Sequence, residues 1–281
     1  MVEATVIPAA TETLHTPEAL YLDLMKKCLT RSISVEQYEL LGFPTGYLPT
    51  FLRRWLAAQP LRFVRHTNPA RRREGRDWPL DGETMIGLPR LDHLQTCITD
   101  VIRRGVPGDL IETGVWRGGS TILMRAVLKA YAVTDRTVWV ADSFQGLPKP
   151  NRRRYPADTG STLWTRGPLA ISLEQVQQHF ARYGLLDGQV RFLPGWFRDT
   201  LPTAPIERLA VLRLDGDLYE STMDALRSLY PKLSVGGYAI IDDYGAVPAC
   251  KQAVHDFRGA QGMTEEIQPV DWTCVYWQRQ R

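Results

Sequence analysis

The sequence predicts an α/β fold, a doubly wound domain over residues 83–281 that follows a helical extension over residues 1–82. From residue 109 onward, short apolar runs alternate with amphipathic stretches of helical spacing, which is typical of a parallel sheet covered on both faces. Several of these runs end in acidic residues. Two strand-like runs separated by only a short turn close the chain and predict an antiparallel pair at one edge of the sheet.

The extension contains several predicted helices. Thr16 is a candidate N-cap, with Pro17 at the first helical position. Further helices are predicted over residues 34–42, near residues 50–59 and, at the start of the main domain, over residues 88–105. Three residues of the first helix recur at helical spacing and are expected to line one face: Leu20, Leu24 and Cys28.

The main domain reads as alternating strands and helices. The apolar runs predict strands over 109–113, 137–142, 189–195, 209–215 and 237–243 and, as the closing pair, 265–270 and 274–280. The amphipathic stretches predict helices over 118–131, 172–184, 221–233 and 247–261. No internal repeat interrupts this order, so we expect one sheet.

Bulk composition excludes several classes of protein. Hydrophobic residues make up 44% of the 281 residues, which is enough for a substantial core. The net charge of +3 is too small to indicate nucleic-acid binding. The four cysteines lie far apart, so neither a disulfide framework nor a zinc site is indicated. The start does not resemble a secretory signal, and no apolar run reaches the roughly 18 residues of a membrane span. We therefore expect a soluble cytoplasmic protein that binds neither nucleic acid nor membrane.

The first strand ends in an acid at the entrance of a glycine-rich turn. Glu112 and Gly114 precede a Gly-Gly pair and Ser120, but the G-x-G-x-x-G dinucleotide fingerprint is absent. A carboxylate at this position would repel a pyrophosphate, whereas it suits a ligand with an ammonium group beside a sulfonium. A carboxylate of the ligand could meet the amides at the helix N-terminus.

The next two strands end in residues suited to a nucleoside. Asp142 stands where such folds hold ribose hydroxyls, although an acid there can also cap a turn. Trp196 and Phe197 follow the third strand and could either cover an adenine or belong to the core. Together these features predict S-adenosylmethionine better than NAD.

Two further strands end in paired acids, Asp215 with Asp217 and Asp242 with Asp243. Several carboxylates in one crevice repel one another unless a hard divalent cation such as Mg²⁺ or Ca²⁺ lies between them. Asp217 or Asp243 can alternatively cap the following helix. We predict Asp215 as metal ligand and as the base that accepts a proton from an acceptor hydroxyl, with Asp217 as the reserve.

At these residues the chain resembles the macrocin/mycinamicin-type sugar O-methyltransferases of antibiotic biosynthesis. The strings that carry the resemblance are "ETMIGLPRLDHLQ", "RRGVPGDLIETGVWRGG", "ILMRAVLKAY", "RTVWVADSFQGLP", "LRLDGDLYEST" and "GGYAIIDDYG". The resemblance implies a seven-stranded, Rossmann-like class I methyltransferase fold. It also implies S-adenosylmethionine and Mg²⁺ as cofactors and a deoxysugar hydroxyl on a glycosylated natural product as acceptor.

The resemblance also implies roles for individual residues. Glu112, Gly114 and Ser120 are expected to contact the methionine part of the cofactor. Met85 and Ile86 are expected to close over it. Asp142 is expected to hold the ribose, with Ser143 and Trp196 as further cofactor contacts. The implied Mg²⁺ ligands are Asp215, Asp242 and Asp243, with Asp215 as the base.

The segment 149–168 is long, basic and rich in Pro and Gly, and we interpret it as a lid over the acceptor. Its Arg152–Arg154 run is unusual for the family and leaves the acceptor's identity open. The resemblance implies that the N-terminal helices line the acceptor pocket and form a homodimer or a higher homo-oligomer.

Two alternatives remain from the residues. A catechol or phenol O-methyltransferase shares the acids and the metal, but such enzymes usually carry a lysine beside the metal acid, and "LDGDLYEST" has none. A nucleotide-binding oxidoreductase or a catalytically silent binding module is the other alternative. The missing fingerprint and Glu112 argue against NAD.

Overall fold

The computed structural model describes residues 16–41, Trp55 and residues 63–281. The helix predicted near residues 50–59 lies outside the described residues, apart from Trp55. In the N-terminal part the elements are α1 (Pro17–Leu29), β1 (Tyr38–Leu40), β2 (Val64–His66) and α2 (Pro69–Glu74). The predicted start of α1 is confirmed, because the Thr16 side chain accepts a hydrogen bond from the Ala19 amide at 3.2 Å.

Seven strands form the main sheet in the order β5-β4-β3-β6-β7-β9-β8. The first five are mutually parallel, β9 runs antiparallel to β7, and β8 pairs antiparallel with β9. Their bounds are β3 (Asp109–Thr113), β4 (Val138–Asp142), β5 (Val190–Pro194), β6 (Leu209–Leu214), β7 (Leu233–Ile241), β8 (Gln268–Pro269) and β9 (Val275–Gln278). The predicted doubly wound sheet and its antiparallel edge are confirmed.

Helices cover both faces of this sheet. They are α3 (Leu88–Arg103), α4 (Gly119–Ala130), α5 (Leu173–Arg182), α6 (Phe197–Thr200), α7 (Tyr219–Leu229) and α8 (Pro248–Ala260). Successive strand residues point to opposite faces, so Leu110 and Val138 join the core beneath α1, α3 and α4, whereas Ile111 and Trp139 join the core beneath α7 and α8. Burial on both faces explains why these strands read as continuous apolar runs.

The prediction of a helix over residues 34–42 is wrong. The chain there forms β1, which pairs antiparallel with β2. On its other side, the Leu40 amide donates to the Trp78 carbonyl and the Leu80 amide donates to the Tyr38 carbonyl, both at 2.8 Å. Pairing with residues distant in sequence therefore overrides the local helical pattern.

Helix α1 belongs to the main core. Its buried residues Leu22, Met25 and Leu29 pack in the same cluster as the residues of α3 and α4. The predicted face is largely the solvent-facing one, since Leu20 and Leu24 are 53% and 50% exposed. The division at residue 82 and oligomerisation through the N-terminal helices stay predictions. Among the described residues, no helix has the length and apolar character that crossing a membrane requires.

Candidate active site

The register of the sheet brings the predicted site residues to one edge. Thr113 pairs with Ala141 and with Leu214, and Leu214 pairs with Ile241. The Asp215 amide then donates to the Thr113 carbonyl at 2.8 Å, and the Asp242 amide donates to the Leu214 carbonyl at 2.9 Å. The residues that follow β3, β6 and β7 are therefore neighbours, as the strand-end argument predicts.

Two clefts open along this edge. The first, with a cavity volume of about 100 Å³, is lined by Asp142, Trp196 and Phe197 among others. The second, with a cavity volume of about 540 Å³, is lined by Asp242 and Asp243 among others. Four residues line both clefts and mark the place where they meet: Met85, Leu169, Asp215 and Asp217.

A buried arginine lies behind the acids. The Arg213 guanidinium, on β6, pairs with Glu112, with Asp242 and, at 2.8 Å, with Asp215. Arg90 of α3 adds a second contact to Asp242, with Nη1 2.5 Å from Oδ2. Both carboxylate oxygens of Asp242 are therefore held by guanidinium groups, which fixes the side chain in one orientation.

Carboxyl groups outnumber guanidinium groups at this edge. Around the two guanidiniums stand six carboxyl groups: Glu112, Asp215, Asp217, Asp242, Asp243 and Asp271, the last of which pairs with Arg90 at 3.0 Å. Burial and the neighbouring carboxylates raise the pKa of Asp215 to about 6 and that of Asp217 to about 7, and they raise the pKa of Asp243 well above its usual range. Closely spaced carboxylates with raised pKa values are what a bound cation would relieve.

The three predicted ligands form a compact set. One carboxylate oxygen from each of Asp215, Asp242 and Asp243 lies within 4.8 Å of the others. An all-oxygen donor set suits a hard divalent cation. The residues present therefore fit Mg²⁺, while occupancy of the site stays a prediction.

Asp217 has an unusual backbone conformation at the junction of the clefts. Its φ of 57° lies in the left-handed region, and its amide donates to Asp243 Oδ2 at 2.9 Å. Left-handed non-glycine residues cost free energy and concentrate at functional sites. Its carboxylate makes no hydrogen bond or ion pair with any residue that the structure describes, in contrast to Asp215, whose Oδ2 contacts Arg213.

The close approach of strands β3 and β6 requires glycine at position 114, whether or not a ligand is bound. Its φ is +85°, and a Cβ atom at this position would lie 1.8 Å from the Asp215 carbonyl oxygen. Any side chain would push the end of β3 away from the end of β6. The glycine that the sequence suggested for close approach to a ligand thus also allows close approach of two strands.

Asp142 lines the first cleft and also caps the turn below it. Its two oxygens accept hydrogen bonds from the Val115 and Phe144 amides, both at 2.8 Å. Burial raises the Asp142 pKa, and these amides oppose that shift. Ser143 lines the same cleft, and its hydroxyl donates to the Gly146 carbonyl at 2.7 Å. The structure thus shows the capping role, with the carboxylate still facing the cleft.

Of the four remaining predicted cofactor contacts, two line a cleft and two are buried away from both clefts. Met85 lines both clefts, and Ile86 lines the second. Buried Arg72 holds this pair, since its Nη2 donates to both carbonyls at 2.7 and 2.8 Å. Glu112 and Ser120 are buried and line neither cleft in the structure as described.

Glu112 nevertheless keeps an open oxygen. Its Oε1 pairs with Arg213, whereas its buried Oε2 makes no hydrogen bond of normal geometry among the described residues, although the neighbouring Ser120 hydroxyl lowers the Glu112 pKa. Burial raises the Glu112 pKa to about 8, although Arg213 opposes the shift. A buried carboxylate with an unused acceptor is suited to a cationic ligand group that would reach it.

The predicted lid, residues 149–168, is anchored to the domain. Both Asp158 oxygens accept hydrogen bonds from the N-terminus of α7, from the Tyr219 amide at 2.7 Å and the Glu220 amide at 3.1 Å. The far end reaches the clefts, since Leu163 lines the second. The Arg152–Arg154 run lies elsewhere. Arg152 and Arg153 line a separate cleft together with Lys149 and Trp164 of the same segment.

Sequence reasoning missed the buried cations of this site. Arg213 stands in the middle of the apolar run "LAVLRLD", where a charge within a strand buried on both faces signals a buried partner. Arg90 and Arg72 carried no such signal, because each lies in a stretch with other polar residues. Their partners come from distant parts of the chain and are set by the fold.

With this geometry in place, comparison with known proteins decides the family. Residues 18–279 match the family described as Macrocin-O-methyltransferase (TylF). The chain belongs to this family. The resemblance seen in the sequence motifs is thereby confirmed over nearly the whole chain.

The macrocin family relatives are close and cover the chain. Demethyldecarbamoylnovobiocin O-methyltransferase of Streptomyces niveus is 49% identical, over 99% of this chain and 100% of its own length. The tetracenomycin 4'-O-methyltransferase of Streptomyces olivaceus, which acts on a dimethoxy-rhamnosyl substrate, is 53% identical, over 92% of both chains. Mycinamicin III 3''-O-methyltransferase of Micromonospora griseorubida is 51% identical, over 92% of this chain and 96% of its own length.

Solved structures of other methyltransferases have the same fold as this chain. The O-methyltransferase NovP matches with a TM-score of 0.83 at 50% identity, over 94% of this chain and 100% of that one. The calicheamicin methyltransferase CalS11 shows the fold alone, with a TM-score of 0.53 at 19% identity, over 85% of this chain and 95% of that one. Membership in the macrocin family makes this protein an S-adenosylmethionine-dependent O-methyltransferase with a Rossmann-like fold, and the oxidoreductase alternative is excluded.

Proposed function

We propose that this enzyme transfers the methyl group of S-adenosylmethionine to a deoxysugar hydroxyl of a glycosylated natural product, with Mg²⁺ bound at the acidic cluster. The observation that carries the proposal is the meeting of the two clefts at Asp215 and Asp217. A donor in the first cleft and an acceptor in the second would approach each other at these acids. Alignment of two bound reactants is a large part of the rate in such a transfer.

The first cleft suits the cofactor. Asp142 offers carboxylate oxygens to the ribose hydroxyls, and the half-buried rings of Trp196 and Phe197 offer apolar surface to the adenine. Glu112 is assigned to the ammonium group, although it lies behind the lining of this cleft, because its Oε2 is the buried carboxylate oxygen that Arg213 does not engage. S-adenosylmethionine supplies an already activated methyl group, so the chain's task is to bind and orient it.

The second cleft suits the metal and the acceptor. Asp215, Asp242 and Asp243 are the proposed ligands, with Asp242 held in place by Arg213 and Arg90. When bound, Mg²⁺ lowers the pKa of a hydroxyl oxygen and fixes its position. Asp215 therefore serves the metal, through the oxygen that Arg213 leaves open.

The structure favours Asp217 as the proton acceptor. We predicted Asp215 in this role with Asp217 in reserve, but Asp215 is engaged by Arg213 and belongs to the metal set. Asp217 faces both clefts, and no described residue pairs with its carboxylate. A general base needs an oxygen within hydrogen-bond reach of the proton it removes, and Asp217 is placed to offer one.

A sugar acceptor is favoured over a catechol or phenol. The names of three relatives from different organisms describe methylation of novobiocin, rhamnosyl-tetracenomycin and mycinamicin compounds. No lysine lines the second cleft in the described part of the chain to help ionise a phenol. A carboxylate base beside a metal site is what a less acidic aliphatic hydroxyl requires.

The direct test follows methyl transfer from labelled S-adenosylmethionine to a panel of deoxysugar glycosides and to catechol, with Mg²⁺ and with EDTA. We expect transfer to at least one glycoside, loss of transfer in EDTA and recovery on adding Mg²⁺. Transfer that is indifferent to EDTA would remove the metal from the proposal. Transfer to catechol alone would replace the acceptor class.

Asp142→Ala tests the ribose assignment. We expect the affinity for S-adenosylmethionine to fall by about 1–3 kcal/mol, since charge-assisted hydrogen bonds to the ribose are lost. Isothermal titration calorimetry measures the change, and Asp199→Ala, which removes a largely exposed acid near the same cleft, is the matched control. Because Asp142 also caps a turn, circular dichroism must first show native fold. Unchanged affinity in a folded variant would place the ribose elsewhere.

A further inference from the structure

The second cleft is divided into two chemically different halves. Its floor carries the acids Asp215, Asp217, Asp242 and Asp243, whereas its outer wall carries Trp78 and Trp272. Arginines accompany the two tryptophans: Arg71, Arg76 and Arg166. A sugar over the acids would leave the rest of a glycoside acceptor against this second half, which we call the aromatic-basic wall.

Trp272 lies in the turn between β8 and β9 and is 40% exposed. Its indole N–H donates to the Glu74 carbonyl at 3.0 Å, which holds the ring against the N-terminal part of the chain. The Arg76 guanidinium lies 4.3 Å from the Trp272 ring centre. An exposed ring fixed by a hydrogen bond is a rigid apolar surface, which is suited to contact with a flat ligand ring.

Trp78 carries the same pairing from another element. The Arg166 guanidinium, on the predicted lid, lies 5.5 Å from the Trp78 ring centre, and Arg166 is exposed. Stacking on an aromatic ring holds a guanidinium flat and leaves its in-plane N–H donors for an oxyanion. Arg71 adds a third cation, whose Nη2 donates to the Arg76 carbonyl at 2.5 Å.

The charges of this wall oppose those of the floor. Arg76 pairs with Glu74 at 2.8 Å, whereas Arg71 and Arg166 have no acidic partner among the described residues, so the wall keeps a net positive charge. A cationic ligand group would be attracted to the acids and repelled by Arg71 and Arg166, so it would compete for the metal position instead of lying on the wall. An anionic group would be repelled from the floor and attracted to the wall. A flat ring adds dispersion contact with tryptophan and guanidinium faces that a saturated ring matches less well.

We infer that the aglycone of the acceptor is a planar aromatic system bearing an ionised acidic group, a phenolate, enolate or carboxylate, and that Arg166 and Trp272 select it. The inference rests on the proposed sugar O-methyltransferase function and assigns the part of the acceptor that is not methylated. The arginine-stacked tryptophans orient the aglycone, and the sugar then extends toward Asp217. Sequence identity does not reveal this preference, because the three relatives are about equally similar to the chain.

The test separates aglycone binding from methyl transfer. Three small probes are titrated against the full-length enzyme by calorimetry: 2-naphthoate, which is planar and anionic, 2-naphthamide, which is planar and neutral, and cyclohexanecarboxylate, which is anionic and saturated. We expect 2-naphthoate to bind at least about tenfold more tightly than cyclohexanecarboxylate and about fivefold more tightly than 2-naphthamide, as one charge-assisted contact and one stacking contact predict.

Variants locate the probe. Arg166→Ala should remove the preference for 2-naphthoate over 2-naphthamide, and Trp272→Leu should weaken both aromatic probes about tenfold. Arg152→Ala, which removes an exposed arginine from the separate cleft of the same segment, is the matched control and should change none of the three affinities. Equal affinities for 2-naphthoate and cyclohexanecarboxylate, or an Arg152→Ala effect as large as that of Arg166→Ala, would overturn the inference.

Methyl transfer is scored separately, with one deoxysugar attached to an aromatic aglycone that carries a carboxylate, to the methyl ester of that aglycone and to a saturated alcohol. We expect the ionisable aromatic glycoside to have the lowest KM, and Arg166→Ala to raise that KM about fivefold with little change in kcat. Equal KM values for the three glycosides would overturn the inference while the proposed function stands. Absence of transfer to every glycoside would contradict the proposed function, and the probe affinities would still report on the wall.

Discussion

The Asp217→Asn variant is expected to lose between about 10²- and 10⁴-fold in kcat, the range typical of removing a general base. Asparagine has nearly the same shape as aspartate and also tolerates the left-handed backbone at this position, where φ is 57°. It cannot, however, accept a proton as a carboxylate does. The affinities for S-adenosylmethionine and Mg²⁺ should stay within a few fold, since Asp217 is assigned to neither. Single-turnover kinetics with saturating substrates and calorimetry for both ligands measure these quantities.

Asp215→Asn is the matched comparison. It removes one of three proposed metal ligands, so we expect both kcat and the affinity for Mg²⁺ to fall, with cofactor affinity again within a few fold. If Asp215→Asn abolished turnover at unchanged Mg²⁺ affinity while Asp217→Asn stayed fully active, the base would be Asp215, as the sequence first suggested. Full activity in both variants would contradict the whole assignment of the acidic edge.

Arg213→Met should lower the free energy of unfolding by about 3–5 kcal/mol when measured in EDTA. The guanidinium is fully buried and pairs with Glu112, Asp215 and Asp242, so its removal leaves buried carboxylates without compensation. Methionine fills a similar volume, which limits the contribution of an empty cavity. Urea unfolding followed by circular dichroism provides the measurement.

Two comparisons test the cause of that loss. In Mg²⁺ the loss should be smaller, because a cation at Asp215 and Asp242 supplies the missing charge and binds only the folded state. Arg104→Met removes an exposed arginine that pairs with Asp100 at 2.8 Å, and it should cost less than about 1 kcal/mol. Equal losses for the two arginines, or a loss at Arg213 that is independent of Mg²⁺, would show that charge compensation is not its role.

Local pattern was sufficient for most of the fold. The strands β3, β4, β6 and β7 are apolar because both faces of the sheet are covered, and this leaves a continuous signal in the chain. Acids at the ends of parallel strands meet at one edge by geometry, so the cluster of Asp215, Asp242 and Asp243 could be predicted without a structure. The motifs sufficed for the family as well.

Tertiary contacts decided the rest. Residues 38–40 became a strand because β2 and the segment around Trp78 offered hydrogen bonds on both sides, and local helical spacing carries no information about such distant partners. Similarly, Leu22 and Met25 of α1 are buried whereas Leu20 and Leu24 are exposed. The helix has apolar residues on more than one side, so packing against its neighbours determines which side is buried.

The sequence by itself determined the doubly wound sheet, the strand ends that carry the site and the class of cofactor. Only the tertiary structure decided which charges are compensated. Arg213 of β6 and Arg90 of α3 both pair with Asp242, although they are 123 residues apart in the chain (213 − 90). Trp78 and Trp272 likewise line the same cleft, although they lie far apart in the sequence. Such pairings depend on long-range packing, because an ion pair or a stacked ring leaves no periodic signal in either partner's local sequence.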